Sequence, residues 1–312
     1  MPVFQGAAYL DTALGSIAAQ DQTDDLEIIV VDDGSTDGSR AILERWSKQL
    51  PIRLVLQPHE GNWVRSTNRA LALASGTWVS LLHQDDRWQP GRLQILREQT
   101  AAHPDVGFWV HPAIFIDGSG RQIGLWRCPL PAGVPLGATD TLPRLIIQNF
   151  IPIVSPMVRR AHMLAVGPLD ESLWYFADWD YWLRLAATAT VCYVRTPLAH
   201  FRIHPHSQTA NRTRELEEVG RQFDVTVKRA LESAAFPVSQ RACSMRVLPF
   251  ARAMYLFLLA GLHGERAAVR LLWRSALRAG PYGWLRYWRY SRLPERLWPR
   301  LRLYLQARGK GV

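Results

Sequence analysis

The chain has 312 residues, 48% of them hydrophobic and 21% charged, which suits one large globular domain, or a domain with an appendage, and excludes a disordered or fibrous protein. The formal net charge of +10 is unevenly placed: residues 241–312 hold 15 Arg and Lys against two acids, leaving 22 basic and 25 acidic groups in the first 240 residues. Three scattered cysteines, Cys128, Cys192 and Cys243, match neither a disulfide framework nor a metal-binding spacing and suit a reducing compartment.

The start, Met1-Pro2-Val3-Phe4-Gln5-Gly6, has no basic segment and no long apolar core, so no signal peptide is expected. Pro2–Tyr9 reads as the end of a strand and a loop, and Tyr9–Gln20 as a helix. Leu26–Val31 is a β-branched run ending in Asp32-Asp33-Gly34-Ser35-Thr36-Asp37-Gly38-Ser39. That pattern predicts a strand, a polar turn, and a helix over 39–49 capped by Ser35 or Asp37. A short strand at 52–57 and a helix at 65–74 follow. Trp78-Val79-Ser80-Leu81-Leu82 reads as a buried strand of a parallel sheet that runs into Asp85 and Asp86. This β-α-β-α-β alternation predicts a parallel, right-handed wound sheet.

Beyond it, a helix over 87–100 belongs to the plainer reading of Asp85 and Asp86 as a solvated pair at its start; one strand is expected over 108–116, a Pro- and Gly-rich loop over 127–145 and an extended run over 150–158. A short helix at 161–165, a helix at 176–186 and strands at 190–194 and 199–207 complete the α/β part. From Thr213 the pattern is helical, with breaks near Pro237, 261–264, 280–283 and Pro294. The longest greasy stretch, Met254–Leu262, is too short to span a bilayer alone.

Several groups carry candidate chemistry. Asp32 and Asp33 end one strand, and Asp85 and Asp86 follow another, so both pairs belong at the ligand-binding edge of an α/β sheet. Adjacent carboxylates invite a cation, and Mg²⁺ or Mn²⁺ commonly joins carboxylate to substrate phosphate. A solvated Asp-Asp pair opening a helix is the plainer alternative. No GxGxxG and no GxxxxGK[ST] is present, which disfavours a dinucleotide site and a P-loop. Asp178 lies among aromatics in Tyr175-Phe176-Ala177-Asp178-Trp179-Asp180-Tyr181-Trp182, where a raised pKa would suit a base; an acid opening an ordinary helix is the alternative. His204 and His206, in Arg202-Ile203-His204-Pro205-His206-Ser207, offer imidazoles for metal or phosphate.

The order of these pieces, Asp-Asp-Gly-Ser, Asp-Asp, Asp-Trp-Asp, then Arg-x-His-Pro-x-Ser, resembles family 2 of the inverting glycosyltransferases over roughly residues 2–210. The resemblance implies a GT-A fold, a Rossmann-like and mostly parallel sheet flanked by helices. It implies that Asp32, Asp33, Arg65 and Asp86 bind a nucleoside diphosphate-sugar, that Asp85 and His204 serve a Mg²⁺ or Mn²⁺ ion, and that Asp178 is the catalytic base. Asn68 joins Arg65 in a segment approximating the family's basic-plus-Asn element. The acceptor would be a glycan or a lipid-linked molecule, in cell-surface polysaccharide or glycoconjugate synthesis. Three positions depart from the family pattern: His83 stands where the metal motif has its first carboxylate, Ala177 stands for the usual Glu before the base, and most of the first strand is expected to be absent. A degenerate nucleotide-sugar-binding protein without activity is the alternative these departures support.

The expected organisation is a transferase domain over 1–210 and a helical basic tail over 211–312. In the tail, Arg266, Arg270, Arg274 and Arg278 recur at steps of four, and Trp284, Trp288, Tyr290, Trp298 and Tyr304 alternate with further arginines. Arg mixed with Trp suits a helix lying on an anionic membrane surface, which places the protein in the cytoplasm, peripheral on the inner face of the plasma membrane. Nucleic acid is not an expected partner: the front domain has no basic excess and no recognition motif.

Overall fold

The computed structural model describes residues 1–204, Ser207, 215–262 and 269–309. Strands β1 (Pro2–Val3), β2 (Ile28–Asp32) and β3 (Ile52–Leu56) form a parallel sheet in the order β1-β2-β3. Every residue of β2 is buried, as the β-branched run requires of a strand covered on both faces. Helices α1 (Leu10–Ala18), α2 (Ser39–Trp46) and α3 (Trp63–Leu73) supply the crossovers. The N-cap of α2 is Gly38 rather than Ser35 or Asp37, although Asp37 Oδ1 accepts from the Ser39 amide at 3.0 Å. Asn62 caps α3, accepting from the Val64 and Arg65 amides.

The next strand, β4 (Trp78–Ser80), is half-buried and departs from the parallel expectation. Beyond it come β5 (Arg87–Trp88), α4 (Arg92–Ala102), β6 (Phe108–Val110), β7 (Ala113–Ile116), β8 (Gln122–Trp126), α5 (Ala138–Leu145), β9 (Met157–Arg159), α6 (Arg160–Val166), α7 (Ala177–Ala186), β10 (Val191–Tyr193) and β11 (Ala199–Arg202). Antiparallel β9 pairs with β4, in a sheet ordered β10-β6-β9-β4. A third sheet has the order β5-β11-β7-β8.

Other boundaries move for physical reasons. Arg87 and Trp88 pair antiparallel with β11 instead of opening a helix, and α4 starts after Gly91, whose φ of 73° no helix interior accepts. The run 108–116 splits at His111-Pro112, where the chain passes from the second sheet to the third. The Pro-rich segment contains α5, with Pro143 inside it.

Four further helices follow: α8 (Leu216–Glu232), α9 (Val238–Leu262), α10 (Val269–Ser291) and α11 (Leu293–Gly309). Breaks fall where Pro237, Gly280 (φ 65°) and Pro294 predict them. The boundary expected at 210/211 and residues His206 and Arg266 lie outside the described residues. Val219, Phe223, Val247, Phe250 and Tyr287 of these helices share one hydrophobic core with Phe108, Trp179 and Trp182 of the α/β part. By length and composition, Val238–Gly261 is long and apolar enough to cross a membrane, which revises the short greasy stretch read from sequence; 39% of that window is buried against the rest of the protein.

Candidate active site

The loops after β2 and β4 are held together by one side chain. Gln84 Oε1 accepts from the Phe4 amide at 2.8 Å and its Nε2 donates to the Phe4 carbonyl at 2.9 Å. Phe4 follows β1, whose Val3 carbonyl accepts from the Asp33 amide at 2.8 Å. Gln84 thus completes a ladder between the exits of β1 and β4, and brings the Asp32–Asp33 turn and the Asp85 loop to one sheet edge.

Asp32, 3% exposed, accepts from the amide and hydroxyl of Ser35 and so shapes the turn after β2. The turn needs Gly34: φ is 75°, and a Cβ there would lie 2.7 Å from the His59 amide nitrogen. Asp33, 4% exposed, accepts from Gln57 Nε2 at 2.6 Å and from the Glu60 and Gly61 amides at 3.0 Å, and meets His59 Nδ1 at 3.0 Å. These partners occupy most of its acceptor capacity, so Asp33 organises the 57–61 loop. Arg65 is an exposed residue paired with Glu171 at 2.9 Å and Glu60 at 3.0 Å. Asn68 ties α3 to the 168–173 loop through the Leu169 backbone and Glu171.

At the exit of β4, Asp85 Oδ2 lies 3.0 Å from His204 Nε2. Burial opposes ionisation of Asp85, but the His204 hydrogen bond and the nearby His83 outweigh it and hold the carboxyl below its ordinary value. Asp86 is turned the other way. It is 2% exposed and accepts from the Arg202 amide at 2.9 Å, and burial together with the Asp85 charge pushes its pKa well up. Its surroundings suit fixing β11, and with it His204, more than touching a donor. Arg202, whose guanidinium donates to the backbone carbonyls of Asp85, Asp117 and Gly118, packs over the Tyr9 ring at 4.5 Å. Tyr9 also stacks obliquely on His204.

For a divalent cation, Asp85 and His204 offer a foothold. Their 3.0 Å separation is about that of neighbouring ligands each ~2.1 Å from one ion. His83 Nε2 is buried with no hydrogen-bond partner, and burial lowers the pKa of this imidazole, which stands beside Asp85. Among the described residues no group of three or more His, Cys, Asp or Glu side chains is arranged to hold a metal. The remaining ligands of a magnesium-type ion would be diphosphate and water, the usual arrangement for a hard cation that keeps part of its hydration.

Asp178 sits in the first turn of α7 and is partly buried. Burial pushes its pKa up to about 6, against the opposing Trp179 amide, Asn149 and Arg296. Asn149 Nδ2 donates to Asp178 Oδ2 at 2.9 Å. Trp63 connects this region to the metal motif: its indole N–H donates to the Trp174 carbonyl at 2.8 Å, and its ring meets His83 edge-on at 5.3 Å. Sequence reading missed Gln84, Trp63 and Asn149. Only Asn149 left a signal, as one of two polar residues, with Gln148, inside the otherwise apolar stretch 145–154.

The chain matches the family model of glycosyl transferase family 2 over residues 1–142. It is 32% identical over 224 residues to an uncharacterized glycosyltransferase of Nostoc sp., an alignment covering 68% of this chain and 66% of that protein. Among solved structures it resembles S. aureus TarS 1-349 in complex with UDP-GlcNAc, with a TM-score of 0.65, 14% identity, and coverage of 88% of this chain and 77% of that one. It also resembles the mannosyltransferase PcManGT of Pyrobaculum calidifontis in complex with GDP-Man and Mn²⁺, with a TM-score of 0.56, 19% identity, and coverage of 98% and 83%. These likenesses confirm the expected GT-A fold.

Proposed function

The chain belongs to glycosyltransferase family 2, and on that premise we propose that it transfers a sugar from a nucleoside diphosphate-sugar to a hydroxyl of a glycan or lipid-linked acceptor, with inversion. The observation that carries this reading is the placing of Asp178, with a pKa near 6, at the start of α7 and joined through Trp63 to the Asp85 loop. A carboxylate that is half-ionised at about pH 6 is mostly ionised at neutral pH and suits abstraction of a hydroxyl proton.

In the proposed reaction, Asp178 accepts the acceptor's proton while the acceptor oxygen bonds to the anomeric carbon. The bond to the diphosphate breaks from the opposite face, and the diphosphate leaves with the electron pair. Asn149 holds the Asp178 carboxylate in register. Asp32 shapes the turn on which the nucleoside rests, Asp33 fixes the 57–61 loop beside it, and Arg65 stands at the loop's rim. Asp86 and Arg202 keep His204 against Asp85. A Mg²⁺ or Mn²⁺ ion held by Asp85 and His204 would supply neutralisation of the departing diphosphate. Incubation with single nucleotide-sugars and measurement of nucleoside diphosphate release tests the reading. Release with one donor, lost in Asp178→Asn, is expected; release unchanged in that variant overturns it.

The exposed side of α10 supports membrane-surface association in the cytoplasm. Leu271, Trp273, Leu277, Leu285 and Trp288 are solvent-exposed there, beside Arg270, Arg274 and Arg278. Exposed apolar side chains rimmed by arginine fit the headgroup region of an anionic leaflet.

A further inference from the structure

A pocket of about 360 Å³ lies between the segment after β8, the exit of β10 and the junction of α10 with α11. Its wall is pinned to β10. The Gly133 amide donates to the Tyr193 carbonyl at 2.9 Å, and the Leu136 amide to the Val191 carbonyl at 2.8 Å. Cys128 Sγ donates to the Phe150 carbonyl at 3.4 Å, and Pro129 and Pro131 restrict the chain between these anchors. Arg127, Arg195 and Arg292 all line the pocket. Arg127 and Arg292 share a single carboxylate, Glu295, at 3.1 and 2.9 Å. Arg195 is exposed and makes no ion pair among the described residues. Arg292 follows the last residue of α10 with a φ of 49°, a left-handed conformation uncommon for a residue with a side chain, and its Nε is buried without a hydrogen-bond partner. Such strain persists where the surrounding structure imposes it, and it clusters at binding sites. Burial raises the pKa of the Tyr193 phenol while Arg127 and Arg292 oppose it, so both guanidiniums act on one hydroxyl at the pocket wall. Three guanidiniums against one carboxylate leave an excess of two positive charges. A phosphate monoester carries about −1.5 to −2 at neutral pH and matches that excess.

We propose that this pocket is a phosphate-binding site, in which Arg127, Arg195 and Arg292 hold the phosphomonoester group of a lipid headgroup or of a small soluble molecule. The inference goes beyond the transferase reading and does not rest on it, because none of Asp33, Asp85, Asp178 and His204 lines the pocket. Planar guanidiniums pair with phosphate oxygens two at a time, which supplies orientation as well as charge. The exposed Leu285 and Trp288 precede Arg292 by about two turns and about one turn of α10, so a headgroup phosphate and a soluble phosphate ester are the two sources to separate.

Calorimetric titration of the full chain with glycerol 3-phosphate, and with glycerol as the neutral comparator, tests the site. Glycerol 3-phosphate is expected to bind and glycerol is not. Arg195→Gln, a change at an exposed side chain, should weaken binding about fivefold at an unchanged melting temperature, and Arg195→Gln with Arg292→Gln should weaken it about tenfold or more. No binding of glycerol 3-phosphate, or unchanged affinity in both variants, overturns the site. The thermal shift produced by nucleotide should be the same in Arg195→Gln as in the wild type; its loss would make Arg195 part of the nucleotide site and overturn the separate assignment. Flotation on phosphatidylcholine vesicles carrying phosphatidic acid or, at matched surface charge, phosphatidylserine separates the two sources. A preference of about fivefold for phosphatidic acid, lost in the double variant, assigns the phosphate to a lipid headgroup. Equal flotation on both, with binding of glycerol 3-phosphate retained, assigns it to a soluble phosphate ester.

Discussion

Asp178 is held by two opposing demands. Ionised, it can take a proton, yet its surroundings raise its pKa to about 6. An acid whose folded pKa lies above its unfolded value favours the fold while protonated, and that advantage is lost as pH rises through about 6. Above this pH the ionised carboxylate costs on the order of 1–3 kcal/mol. Asp178→Asn should therefore abolish transfer while keeping or raising stability at pH 8. Denaturant midpoints should fall more steeply in the wild type than in the variant between about pH 4 and about pH 6, and run parallel above it. Wild-type transfer should decline as pH drops through about 6, because the base becomes protonated. An unshifted acidic limb near pH 4 would contradict the assigned environment. The residues around Asp85 show how one carboxylate can differ from its sequence neighbour: Asp85 meets His204, while Asp86 is spent on the backbone of β11.

At the scale of elements, Gln84 stitches the chain just after β1 to the loop after β4 through the Phe4 amide and carbonyl. Gln84→Leu leaves the Phe4 amide and carbonyl without side-chain partners. Loss of about 1–3 kcal/mol in denaturant unfolding is expected, together with weaker nucleotide binding, since the two aspartate loops lose their common anchor. Wild-type stability in Gln84→Leu would show that the stitch does not hold the edge together. The parts legible in the sequence were those with local signatures: the β-branched run of β2, the Gly34 turn, and helix breaks at Pro237 and Gly280. The parts that were not depended on partners far along the chain. Arg87-Trp88 became a strand because β11 offers it a ladder, and 108–116 became two strands because His111-Pro112 lets the chain change sheets. Asp33 reads as a ligand from its motif, yet its carboxylate is taken up by Gln57, Glu60 and Gly61, which no local pattern announces. Helix α5 was hidden by Pro143, and β8 by its short run beside glycine-rich turns.

Across the whole molecule, the C-terminal helices do two things at once. Val247, Phe250 and Tyr287 enter the main core, while the outer side of α10 leaves Trp273, Leu277 and Leu285 in solvent. Removing everything after residue 240 would thus strip part of the core. Surface substitutions are the cleaner probe: Trp273→Ser, Leu277→Ser and Leu285→Ser together should leave the melting temperature nearly unchanged and abolish co-flotation with anionic vesicles. Retained flotation would place the membrane contact elsewhere. The central claim, that one sheet edge binds a nucleoside diphosphate beside Asp85, is tested most directly by thermal shift with UDP, GDP, TDP and CMP, with and without Mn²⁺. Ligand that binds only the folded state at about 100 times its Kd adds about 2.7 kcal/mol of stability. A shift of several degrees with one nucleoside diphosphate, dependent on Mn²⁺ and lost in Asp85→Asn, is the predicted result. No shift with any nucleotide, or an equal shift in Asp85→Asn, would contradict the account.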